Sequence, residues 1–220
     1  MNSILIFDNV SGNKKRFGLH NVSFELEAGY IYSIAGDNGA GKTTLFKYIT
    51  DRYASYDGNI TVGGINTRQR YCEAMNEIGY ISEDVKYNPQ WSGLRNAEIY
   101  GKLYDKFDLE LFKKQMDEMK VSVSTDYGKY SRGEKMKFQL AFAIAFRPSL
   151  YLADEATAGM DPVFRIEFFN LLRRLLIEED AAVLMSSHIC SDIVKQTDYV
   201  AVMKDGVLSE FKESMDWEYK

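Results

Sequence analysis

Apolar positions along the chain fall into two textures, short unbroken runs and longer stretches in which they recur every three or four residues. Residues 4–7, 22–27, 30–35, 59–62 and 78–81 are short apolar or alternating runs bounded by Gly, Asn or Asp, which predicts strands. Between 84 and about 129 the spacing turns helical: 94–104, then 109–119 with Leu111, Phe112 and Met116 on one face. A further helix is expected over 131–146, followed by a strand over 149–153 apolar enough to be buried on both faces. Asp161-Pro162 supplies an N-cap and a first-turn proline for a helix reaching about residue 178, with Phe164, Phe168, Leu171, Leu172 and Leu175 along one side. A strand over 181–185, a short helix over 189–196, and a strand, turn and strand over 199–211 complete the pattern. Strands alternating with helices predict an α/β fold with a mostly parallel sheet and an antiparallel β portion at the start.

One segment organises the rest. Gly36-Asp37-Asn38-Gly39-Ala40-Gly41-Lys42-Thr43-Thr44 follows the apolar run 30–35 and precedes a helical stretch. It fits G-x-x-x-x-G-K-[ST], in which glycines let backbone N–H groups turn inward around a phosphate chain. The lysine reaches the outer phosphates and the hydroxyl, here Thr43, binds Mg²⁺. The start of the following helix adds its positive dipole end. At the far end of the strand over 149–153 stand Asp154 and Glu155. Open α/β sheets hold ligands at the carboxyl ends of their strands. Paired with the phosphate loop, Asp154 is the expected Mg²⁺ partner and Glu155 the general base for an attacking water.

Composition narrows the setting. Of 220 residues 45% are hydrophobic, enough for a sizeable core. The longest apolar run, 140–146, ends at Arg147-Pro148 and is far below the roughly 20 residues that cross a bilayer. No basic n-region leads into an apolar stretch at the start, so the expected compartment is the cytoplasm. Cys72 and Cys190 form no motif and are expected to be reduced thiols. With 27 basic and 32 acidic side chains, a net charge of −5 and no long like-charge block, bulk attraction to nucleic acid is not indicated.

Later residues carry a resemblance. Tyr130-Ser131-Arg132-Gly133-Glu134 resembles the signature of ABC-type ATPases, commonly L-S-G-G-Q, and sits between the helical stretch and the Asp-Glu strand. Ala158-Gly159-Met160-Asp161 is similar to that family's D-loop, His188 to its switch histidine, and 78–83 to the strand leading into its Q-loop. The resemblance implies a P-loop NTPase: a RecA-like core with an antiparallel β edge over 1–83 and 148–220, and an inserted α-helical subdomain over 84–147. It implies hydrolysis of ATP with Mg²⁺, and a homodimer or heterodimer of ATPase subunits sandwiching two ATP molecules. Ser131 and Gly133 of one chain would meet the γ-phosphate held by the other, and His188 would contact it too. Ser131 also suits a helix N-cap. Three positions depart from the family pattern. Glu83 stands where a Gln is usual and remains a candidate Mg²⁺ ligand, Arg132 replaces a Gly, and no aromatic to stack on adenine is present over 11–14, Phe17 being the nearest.

The implied setting is the inner face of the cell membrane, where a separate transmembrane permease subunit would supply the path and select the substrate. The Arg132 signature and Glu83 look more like exporters of peptides or drugs than like importers. Residues 87–100, with Trp91, are either a docking surface for that subunit or part of the helical packing. Two other functions compete: a non-transport ATPase of the iron–sulfur assembly type, and a regulator that binds nucleotide without hydrolysing it.

Overall fold

The computed structural model describes residues 3–12, 18–157, 160–187 and 195–216. The chain runs β1 (Ser3–Gly12), β2 (Val22–Glu27), β3 (Ile31–Ala35), α1 (Lys42–Thr50), β4 (Tyr56–Val62), β5 (Ile65–Asn66), α2 (Tyr71–Asn76) and β6 (Ile78–Ser82). Then come α3 (Gly93–Tyr100), α4 (Leu109–Glu118), α5 (Arg132–Ile144), β7 (Leu150–Asp154), α6 (Pro162–Glu179), β8 (Ala182–Ser187), β9 (Tyr199–Lys204), β10 (Val207–Leu208) and β11 (Lys212–Glu213).

Two sheets form. The first is antiparallel, in the order β2-β1-β4-β5. In the second, β9, β3, β8, β7 and β6 lie parallel side by side, and β10 and β11 pair antiparallel with β9 at its edge. Side chains alternate across the parallel sheet. Tyr32, Ile34, Leu150, Leu152, Ala182 and Leu184 face a core shared with α1 and the antiparallel sheet, where Phe7, Leu26, Phe46 and Ile60 are also buried. Ile31, Tyr151, Ala153, Val183 and Met185 face the opposite core, filled by α4, α5 and α6. Burial on both faces is why these strands read as unbroken apolar runs. It also leaves the carboxyl ends of the strands as the place where polar side chains gather.

Helix boundaries follow local chemistry. The Asp161 side chain accepts from the Phe164 amide at 2.9 Å, with Pro162 in the first turn, so α6 begins where the sequence predicts. The helix expected over 94–104 is shorter: α3 ends at Tyr100 and a 3₁₀ turn covers Gly101–Leu103. A Cβ at Gly101 would lie 2.4 Å from the Phe107 ring, and that close approach needs the glycine where the helix stops. The last strand, expected over 207–211, is shorter, β10 covering only Val207–Leu208, and the separate β11 follows it. The short helix expected over 189–196 falls mostly outside the described residues.

Aromatic side chains of 87–100 take part in the helical packing. The Tyr87 ring lies 4.7 Å from Phe138 and 5.2 Å from Tyr127, and half-buried Trp91 carries the Arg95 guanidinium 5.9 Å over its ring. Among the described residues no helix is long and apolar enough to cross a membrane.

Candidate functional site

The loop between β3 and α1 is shaped by glycines at two points. Gly41 has φ 120°, in the region side-chain-bearing residues avoid, and immediately precedes the first turn of α1. Gly36 is packed so closely against β9 that a Cβ would lie 2.4 Å from the Met203 carbonyl oxygen. Asp37, Asn38 and Gly39 are exposed at the tip, and Ala40 is buried beneath them. Thr44 belongs to the first turn of α1.

Lys42 is only 4% exposed, yet it carries a charge that burial penalises unless it is paired. Its ammonium donates to the carbonyls of Gly36 at 2.7 Å and Asp37 at 3.0 Å, and lies 3.7 Å from Glu155 Oε1. The cation is therefore held inside the loop it serves, within reach of the candidate base. Glu155 has φ 50° and is partly exposed, so its carboxylate meets solvent while its backbone is held in a sharp turn.

Asp154, 5% exposed, ends β7 below the loop. Ser186 Oγ donates to its Oδ1 at 2.5 Å, the Tyr80 hydroxyl reaches its Oδ2 at 3.4 Å, and the Thr43 side chain is also hydrogen-bonded to it. Burial raises the Asp154 carboxyl above its ordinary value, and the bonds from Ser186 and Thr43 oppose that rise. Burial, followed by the nearby Asp154 charge, pushes the Tyr80 phenol up to about 12, so it remains a donor at neutral pH.

The oxygen set of Thr43 and Asp154 suits a hard divalent cation. Among the described residues no three His, Cys, Asp or Glu side chains gather as a protein-only metal cage. One carboxylate and one hydroxyl, completed by ligand phosphates and water, is the way Mg²⁺ is commonly bound. The residues present therefore fit Mg²⁺.

The other candidates lie elsewhere. Glu83, just past β6, turns its side chain to Arg132, so the two departures from the family pattern form an ion pair with each other, both about half exposed. Ser131 caps α5: its hydroxyl accepts from the Glu134 amide at 3.3 Å and its own amide donates to Glu134 Oε2 at 2.8 Å. Gly133, in the first turn of α5, has open space where a Cβ would be. The D-loop positions 158–159, His188 and Phe17 lie outside the described residues.

Three residues at the site have contacts that no motif assigns. Ser186 and Tyr80 stand on Asp154, and the buried Gln139 of α5 accepts the Ser82 amide at 2.8 Å, tying α5 to the end of β6. A serine pair closing the apolar run of β8 was the available signal for Ser186; nothing in the sequence says which carboxylate it meets. A groove of about 650 Å³ between α4, α5 and α6 is lined by none of the site residues.

A family model described as "ABC transporter" matches residues 19–158 of the chain. An uncharacterized ABC transporter ATP-binding protein of Bacillus subtilis, YdbJ, is 27% identical over 203 residues, covering 90% of this chain and 66% of that protein. The bacitracin transport ATP-binding protein BcrA of Enterococcus faecalis is 29% identical over 197 residues, covering 87% of this chain and 63% of its own length. The chain thus spans about two thirds of the length of these relatives. An ATP-binding cassette solved as a dimer in a post-hydrolysis state bound to ADP and Pi superposes with a TM-score of 0.83 at 19% identity, covering 97% of this chain and all of that one. At that identity the likeness shows the fold, an α/β P-loop cassette.

Proposed function

The chain belongs to the ABC transporter family, and from that premise we propose that it binds and hydrolyses ATP as the nucleotide-binding subunit of a transporter. The observation that carries the proposal is the convergence of Lys42, Thr43, Asp154 and Glu155, drawn from α1 and β7, at the carboxyl edge of one parallel sheet. Such a convergence is what phosphoryl transfer to water needs: positioning, charge neutralisation and a group that orients the nucleophile.

The loop amides and the start of α1 would cradle the phosphate chain. Lys42, already placed by two loop carbonyls, would neutralise the outer phosphates. Mg²⁺, held by Thr43 and Asp154, would supply further neutralisation of phosphate charge. Glu155 would orient a water for in-line attack and accept its proton, with the Lys42 ammonium 3.7 Å away drawing the carboxylate toward the loop. Ser131 and Gly133 would meet the γ-phosphate held by a second ATPase subunit, with His188 as a further contact, and Glu83 would approach the metal only by leaving Arg132.

The proposal extends to setting. A separate membrane subunit would carry the substrate, with this chain on the inner face of the cell membrane. Export of peptide or drug-like substrates is supported by the likeness to a bacitracin transport protein. A non-hydrolysing regulator would have no use for Glu155 3.7 Å from the buried lysine, and this argues for turnover.

Phosphate release measured on the wild type and on Glu155→Gln tests the hydrolytic step. The variant should bind ATP and lose turnover, commonly 10²–10⁴-fold where a positioned general base is removed. Wild-type turnover in Glu155→Gln, or no turnover in the wild type, would overturn the assignment.

A further inference from the structure

We propose that Ser186 is a positioning residue for this reaction, a hydroxyl that fixes the Asp154 carboxylate and the Glu155 backbone relative to each other. The inference rests on the ATP-hydrolysing reading above. Ser186 is fully buried in β8, so its hydroxyl cannot turn to bulk water for a partner. Its single proton is given to Asp154 Oδ1 at 2.5 Å, and its oxygen accepts the Glu155 amide at 2.9 Å. One side chain thus touches the candidate metal ligand and the candidate base at once.

The register explains why a serine at this point does this. Asp154 pairs with Ser186 in the last rung of the β7 and β8 ladder, and β7 ends there. Glu155, one residue on, turns away with φ 50°, a conformation that side-chain-bearing residues adopt at a cost. Its amide therefore has no rung to join, and the Ser186 oxygen takes it. The turn that points the Glu155 carboxylate toward Lys42 is closed by a hydroxyl from the neighbouring strand. The second Asp154 oxygen is met by Tyr80 from β6, the strand on the other side, so hydroxyls from both flanking strands hold the carboxylate in one orientation. Ser187, next in the strand, points elsewhere: its hydroxyl lies 3.4 Å from Ser33. Of these two serines it is Ser186 that is bonded to both acidic residues.

The test compares Ser186→Ala, Ser186→Cys and Ser186→Thr in the full chain by phosphate release, by thermal melting, and by the Mg²⁺ concentration that half-saturates binding of a fluorescent ATP analogue. Thr keeps the hydroxyl, and Cys keeps nearly the same size with a weak donor. Ala and Cys should lower kcat about 10–100-fold with KM for ATP little changed, the range found when the group that orients a metal ligand is removed. Both should raise the Mg²⁺ requirement, and Thr should restore kcat and Mg²⁺ requirement together. Wild-type kcat in Ala and Cys would overturn the inference, as would Thr falling as far as Ala in step with its melting temperature, the pattern of a purely structural site. If Ala does not fold, the Cys and Thr pair decides alone. If the wild type itself releases no phosphate, the hydrolytic reading fails separately. The Mg²⁺ dependence of analogue binding then judges Ser186, and an unchanged value in Cys rejects it.

Discussion

Lys42 carries its charge in a place that would reject an unpaired one. With a side chain 3% exposed, it depends on the Gly36 and Asp37 carbonyls and on Glu155 nearby, and these same partners aim it into the loop. Lys42→Met keeps most of the buried stem and removes the donor. Hydrogen bonds to charged groups contribute about 1.5–3 kcal/mol, so ATP affinity should fall roughly 10–100-fold at constant Mg²⁺. A nucleotide titration with a fluorescent analogue reads this directly, and an unchanged dissociation constant would remove Lys42 from the phosphate site. Glu83 and Arg132 show the limit of reading residues singly. Each is a visible departure from the family pattern, but that one answers the other follows only from the approach of α5 to the end of β6. Both are about half exposed, and exposed ion pairs contribute little to stability, so their pairing bears on where Glu83 points more than on how firmly the chain folds.

Elements were legible where a single physical cause dominates. β7 and β8 are buried on both faces and read as unbroken apolar runs; α6 carries its Asp161 cap and Pro162; α5 carries the Ser131 and Glu134 capping box. What stayed hidden depends on contacts between distant segments. The break after α3 is set by Phe107 lying on Gly101, and α2, at six residues, is too short for periodicity to register. Ser186 looks like the polar end of a strand until the register of β7 against β8 is known. The junction of β7 with the end of α6 offers a test of a different kind. The Tyr151 hydroxyl, from a fully buried residue, donates to Glu179 Oε2 at 2.8 Å. Burial raises the Glu179 carboxyl above its ordinary value, and this hydrogen bond holds the rise back. A carboxyl raised in the folded state favours folding below the ordinary carboxylate range, and that contribution is lost as pH rises through the folded value. Tyr151→Phe removes the opposing bond and moves the folded value higher. The variant should therefore lose about 1.5–3 kcal/mol of stability at neutral pH and less near pH 4. Denaturant melts at the two pH values measure the difference, and an equal loss at both would exclude Glu179 as the cause.

At the scale of the whole molecule, the two halves of the expected nucleotide contact both face solvent in the single chain. Asp37, Asn38 and Gly39 form an exposed loop tip, and Ser131 and Arg132 stand exposed at the start of α5 with open space beside Gly133. An ATP bound in the loop would leave its γ-phosphate at a surface, and the start of α5 is a ready anion site for a second chain to bring. Residue types predict each half, but only association would complete the site, so nucleotide binding and dimerisation are expected to be linked. Glu155→Gln should trap the linked state by removing the proposed proton acceptor while leaving the loop intact. With ATP and Mg²⁺, light scattering during size exclusion should show this variant moving from 25.2 kDa toward twice that mass. Without nucleotide it should remain a monomer. Gly133→Glu, combined with Glu155→Gln, sets a carboxylate at the first turn of α5, where it would repel a γ-phosphate, and should return the protein to monomer while ATP binding at Lys42 survives. That separation is the decisive feature, because misfolding would abolish both. A monomer in all conditions would mean that the surface at Ser131 and Gly133 serves no second copy of this chain. A different ATPase subunit would then be the partner to seek.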